Sequence, residues 1–177
     1  MKTKYSGILD YGRNINSAFL LVRSLFLPNE IYELIDQNTF KKGYAELDIL
    51  NTLNKDISNI KDTRLSIMYL EIKYYLCSKL LRDADWTSMA NSIELRTPLV
   101  DWSFFNKLIP LIKNDNSINK KLASKSMKDK IPEDIINRKK TGFVIPHDLY
   151  LKKMSYKKEY ANPIRDWSIL SLSLIHI

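Results

Sequence analysis

The 177-residue chain is long enough for one domain with a real core. Its apolar share of 45% excludes a disordered or collagen-like chain. The net charge of +8 is uneven: residues 107–158 hold 14 basic and 5 acidic residues, and residues 1–106 balance. Such a basic third suits nucleic acid, nucleotide phosphates or an acidic surface, or it simply makes solvated lysine-rich helix faces.

In chain order, "NINSAFLLVRSLF" starts with a cap-like Asn14 or Asn16 and carries an apolar stripe that must stop before Pro28. "PNEIYELI" restarts as a short helix with Pro28 and acidic residues at its N-terminal end. The clearest helix is predicted over Arg64 to Leu81. Leu65, Met68, Tyr69, Ile72, Leu76 and Leu80 recur there at helical spacing, opposite Glu71, Ser78 and Arg82. Cys77 falls in this stretch and reads as a core thiol. "DWSFFNKLIPLIK" is a helix that Pro110 ends or kinks. "INKKLASKSMKDK" reads as a basic amphipathic helix. "PEDIINRKK" starts at Pro132 and should run to Gly142, and "PHDLYLKKM" opens another helix. No strand and no repeat is predicted, so the fold class is mostly α. The closing "LSLIHI", residues 172–177, resembles the translation of a transposon-end sequencing adapter and is set aside. Residues 1–171 are then expected to be the natural part of the chain, a portion of one domain.

No apolar run reaches the roughly 18 residues of a membrane span, and no h-region of a signal peptide is visible. With a single cysteine, these features point to a cytoplasmic protein without membrane partners. His147 has no partner His or Cys, and no metal-ligand set is predicted.

Two segments concentrate chemistry. In "DADWTSMANSIELRTPLVD", Asp83 to Asp101, charged and small residues alternate, and Thr97-Pro98 forces extended backbone. Glu94 and Arg96, two apart, point the same way on extended chain and can pair with each other or with groups beneath them. The plain reading is a buried ion-pair network that locks a helix–loop junction. In "NRKKTGFVIP", Gly142 allows a positive φ at a helix end, and Phe143, Val144 and Ile145 pack the following chain down. That arrangement fixes the backbone on both sides of Arg138 to Thr141. A lysine held there can stabilise charge on a phosphate. The plain reading is a set of cations complementing a helix dipole.

Together, and in this order, these segments resemble the C-terminal part of the synthetase domain of the asparagine synthetase (glutamine-hydrolysing) family. The family pattern D-x-x-S-M-A-x-S-x-E-x-R-x-P-x-x-D reads "DWTSMANSIELRTPLVD" here, and P-E-x-I-x-x-R-x-K-x-G-F-x-x-P reads "PEDIINRKKTGFVIP". "YGRNINSAFLLVRSLFLP" is also similar to the family. The resemblance implies the C-terminal helical portion of an α/β ATP-pyrophosphatase fold, of the adenine nucleotide α-hydrolase type. It implies a ligase that uses ATP and Mg to adenylate an aspartate-like carboxylate, which glutamine-derived ammonia then converts to an amide. It places Lys140 on the ATP phosphates as the catalytic residue. Arg138, Gly142, Glu94, Arg96 and Asp85 become supports of the nucleotide and substrate pocket, and Lys139 is solvated.

The family's S-G-G-x-D-S phosphate loop and its glutaminase domain are expected upstream of residue 1, with most of the ATP and Mg contacts. This chain alone is therefore expected to be inactive. Many members carry Arg at Trp86 and Phe at Leu99, which implies a divergent branch whose acceptor need not be free aspartate. The alternative function is a basic helical module that binds nucleic acid or another protein. The resemblance favours the ligase, with no nucleic acid partner.

Overall fold

The computed structural model describes residues 7–127, 129–139, 145–157, 159–160 and 162–175. Among them the chain is helical and has no strand. It divides into two compact units, Met1–Arg82 with Ile145–Ile177, and Asp83–Val144.

The first unit opens with α1 (Ile8–Tyr11) and α2 (Ile15–Arg23). Asn14 caps α2: its side chain accepts a hydrogen bond from the Ser17 amide at 2.9 Å. Helix α3 (Pro28–Leu34) begins on Pro28, and the Glu30 carboxylate accepts from the Leu27 amide at 2.8 Å. Two helices not predicted from the sequence follow, α4 (Gln37–Leu47) and α5 (Ile49–Ile57). Asp48 joins them in the left-handed region with φ 38°. Helix α6 (Thr63–Leu70) is capped by Asp62, which accepts from the Leu65 amide.

The long helix expected over residues 64–81 is not uniform. After α6 the backbone becomes a π-helix, Glu71–Leu81. Its i to i+5 pattern moves side chains out of α-helical phase. The Ser78 hydroxyl donates to the Lys73 carbonyl at 2.8 Å, at that same five-residue spacing. The expected face is corrected in part, since Leu65, Met68, Ile72 and Leu76 are half-buried. Ser66 and Leu70 are the buried positions, whereas Tyr69 and Leu80 are 40% and 43% exposed. Cys77 is exposed, not a core thiol.

Leu53, Ile57 and Leu70 form the core cluster, flanked by Ile15, Phe19, Leu20, Ile49, Ile60 and Tyr74. Helices α2, α5 and α6 thus bury one another's apolar faces. Lys73 and the Tyr74 hydroxyl both bond to Asp56, at 2.7 and 2.6 Å. The Arg23 guanidinium is paired with Glu71 and lies 3.7 Å from the Tyr75 ring centre.

The second unit contains α7 (Arg82–Met89, all but its first residue), α8 (Trp102–Asn114), α9 (Lys120–Lys125) and α10 (Glu133–Asn137). Asp101 caps α8 by accepting from the Phe104 amide at 2.7 Å. Helix α8 continues past Pro110 to Asn114, so the proline does not end it. The basic helix α9 is one short segment rather than the long helix expected, and α10 stops at Asn137. No apolar residue described in this unit is buried.

The first unit resumes with α11 (His147–Lys153) and α12 (Pro163–Ile175), which pack together. Helix α12 continues through Leu172. Leu151 and Asp166 are fully buried. The Asp166 carboxylate accepts from the Glu159 and Tyr160 amides. Arg165, 3% exposed, lies between the Phe26 and Tyr160 rings and pairs with Glu30.

Candidate functional site

The residues singled out from sequence fall in the second unit. Asp85 lies on the exposed surface of α7, and its carbonyl accepts from the Ser88 hydroxyl at 3.1 Å. The helix then ends in a tight stop. The Ser92 amide donates to the Met89 carbonyl at 2.9 Å, and the Ile93 amide to the Ser88 carbonyl at 3.0 Å. These two bonds, with Ser92 at φ 56°, make a Schellman closure whose left-handed position is held by serine rather than glycine. The Asn91 side-chain amide donates to the Thr87 carbonyl at 2.9 Å, so another carbonyl at the helix end is satisfied.

The chain leaves this stop without regular structure, and Glu94 and Arg96 meet on it. The guanidinium donates from Nε to Oε1 at 3.1 Å and from Nη2 to Oε2 at 3.3 Å. The pairing expected from their two-residue spacing is present. The burial is not: the Arg96 and Glu94 side chains are 82% and 71% exposed. A pair so placed contributes at most about 1 kcal/mol to stability. It leaves the outer guanidinium and carboxylate surfaces open to a ligand.

Arg138 follows α10 with φ −59° and ψ 132°, and Lys139 is exposed. Among the described residues, neither Asp85 nor Arg138 shares a hydrogen bond or ion pair with Glu94 and Arg96. Lys140 and Gly142 lie outside the described residues.

Among the described residues, cavities are found in both units, and no sequence-predicted site residue lines the two described next. One, of about 590 Å³, lies beside α9 and α10 and is lined by Lys121, Lys125, Asp129, Glu133, Ile136 and Asn137. The other, of about 460 Å³ in the first unit, is walled by Ile15, Ala18, Phe19, Val22 and Ile67 beside Arg13 and Glu71. Among the described residues no group of three or more His, Cys, Asp or Glu could hold a metal ion. Glu94 is committed to Arg96, and no two neighbouring glycines form a phosphate cradle. The described residues therefore do not by themselves fit Mg or the phosphates of ATP. No helix among them is long and apolar enough to cross a membrane.

Sequence reasoning assigned no role to Ser92. The available signal was Asn91-Ser92 between a helix and an extended segment, since Asn and Ser are common where helices stop.

Comparison with known proteins gives one family match and one curated relative. The asparagine synthase family matches residues 18–171. "Asparagine synthetase [glutamine-hydrolyzing] 1" of Bacillus subtilis (strain 168) is 33% identical over 108 residues, covering 59% of this chain and 17% of the relative. The chain thus aligns with about one sixth of that relative's length. No solved structure matches.

Proposed function

Because the chain belongs to the asparagine synthase family, we infer that it forms the C-terminal helical part of a synthetase domain in a longer ligase. The whole domain has the α/β ATP-pyrophosphatase fold, and its nucleotide loop lies outside residues 1–177. The reaction is ATP-dependent amidation of aspartate or a related carboxylate, with ammonia derived from glutamine. The family match across residues 18–171 carries this reading.

In it, Lys140 contacts the phosphates of ATP. Support comes from its place in "NRKKTGF", directly after Arg138 and Lys139 and two residues before Gly142. A cation positioned beside a phosphate stabilises the charge that develops as pyrophosphate leaves. Glu94 and Arg96 form a charged edge of the substrate pocket, and the open side of their pair suits a polar, ionised acceptor. Asp85 and Arg138 support the same region.

The test uses the longer enzyme. Lys140→Ala should lower amide synthesis by about a hundredfold to a thousandfold, the scale of losing one fixed donor to a developing anion. Glutamine hydrolysis should persist. Near-normal synthesis by the variant would remove Lys140 from the role. Residues 1–177 alone should release no pyrophosphate from ATP, and release would show that the phosphate site does not need a loop outside them.

A further inference from the structure

We propose that Ser92 is a positioning residue for the Glu94–Arg96 pair and that its backbone, not its hydroxyl, does the work. This rests on the reading of that pair as part of the substrate pocket. Ser92 has φ 56°, in the left-handed region that costs a side-chain-bearing residue energy. That conformation brings the Ser92 amide to the Met89 carbonyl and the Ile93 amide to the Ser88 carbonyl. The Ser88 carbonyl also accepts from the Asn91 amide at 3.0 Å, so one oxygen anchors both sides of the turn. Ile93 is thus tied to α7 one residue before Glu94.

Downstream, the next backbone hydrogen bond is the turn from the Val100 amide to the Thr97 carbonyl at 2.9 Å. Between these two ties, Glu94 and Arg96 hold only each other. The direction of their segment is therefore set by the turn at Ser92. Among the described residues the Ser92 hydroxyl takes part in no hydrogen bond, so glycine should serve equally well. A β-branched residue should not, because its Cβ substituents disfavour positive φ.

The experiment compares isotopically labelled 177-residue chains by NMR: wild type, Ser92→Gly, Ser92→Asn, Ser92→Val, and Glu94→Gln as the broken-pair reference. The Arg96 Nε–Hε signal reports the pairing, and the Leu53 and Leu70 amide signals report the core. Gly and Asn, which accept positive φ, should leave the Arg96 signal at its wild-type position. Val should move it to the Glu94→Gln position while the Leu53 and Leu70 signals stay in place. An unmoved Arg96 signal in Ser92→Val would overturn the proposal. So would a moved signal in Ser92→Gly, and that comparison holds even where the valine chain fails to fold. No ATP enters this experiment. Its failure therefore leaves the Lys140 assignment standing, and failure of the Lys140 test leaves this result intact.

Discussion

At the residue scale, charge and capping follow short-range rules, and these were the easiest to read. Of the two cap candidates Asn14 and Asn16, Asn14 is the N-cap. Asn14→Ala should cost about 1 kcal/mol, read as a lower thermal midpoint, because the Ser17 amide loses its acceptor. A cap that contributes nothing would leave the midpoint unchanged. Asp56 was not legible, since its partners lie 17 and 18 residues away on the π-helix. The hydrogen bond from Lys73, and then that from the Tyr74 hydroxyl, hold its carboxyl below the usual carboxylate range. The folded pKa is thus depressed relative to an unfolded value near 3.9. The stabilisation is complete above that value and disappears as pH falls through the lower folded pKa. Asp56→Asn should accordingly be less stable than wild type at pH 7, with the gap closing on acidification. Urea midpoints measured from pH 7 to pH 2 check this, and a pH-independent gap would refute it.

At the element scale, the π-helix separates what periodicity can place from what it cannot. The i, i+3, i+4 rule located a helix over residues 64–81 and put Leu65, Met68, Ile72 and Leu76 at half-buried positions, but it missed Ser66 and Leu70 in α6 and assigned to the buried face Leu80, which lies on the π-helix where the backbone follows a different repeat. The burial that decides the face comes from α5, where Leu53 and Ile57 meet Leu70. Two substitutions separate the alternatives. Leu70→Ala removes a fully buried side chain and should cost about 2 to 5 kcal/mol. Leu80→Ala, at a 43% exposed position, should change stability by no more than about 0.5 kcal/mol. Chemical denaturation of both checks the order, and a larger loss at Leu80 would restore the stripe read from sequence. Pro110 teaches a related point. Its ring removes one helical hydrogen bond, yet α8 runs on to Asn114, so a local breaker was outweighed by the helix around it. The pairing of Glu94 with Arg96 was legible from spacing alone. Its exposure was not, because burial depends on what the rest of the fold brings near.

At the scale of the whole molecule, the two units differ in kind. In the first, Arg165 ties the C-terminal segment to α3 through Glu30, 135 residues away in sequence, and packs against the Phe26 and Tyr160 rings. In the second, every described apolar residue remains at least partly exposed. Trp86, Leu99 and Trp102 are 65%, 77% and 73% exposed. The sequence spends large apolar side chains there without burying them, in and beside the segment from Asp85 to Asp101. Such a surface should bind a hydrophobic dye in the 177-residue chain. Replacing Leu99 and Trp102 together by Ser should weaken dye fluorescence, while the thermal midpoint stays within about 2 to 4 °C because no buried contact is lost. Undiminished fluorescence in the double variant would place the dye site elsewhere. A large fall in the midpoint would show that Leu99 and Trp102 support a core.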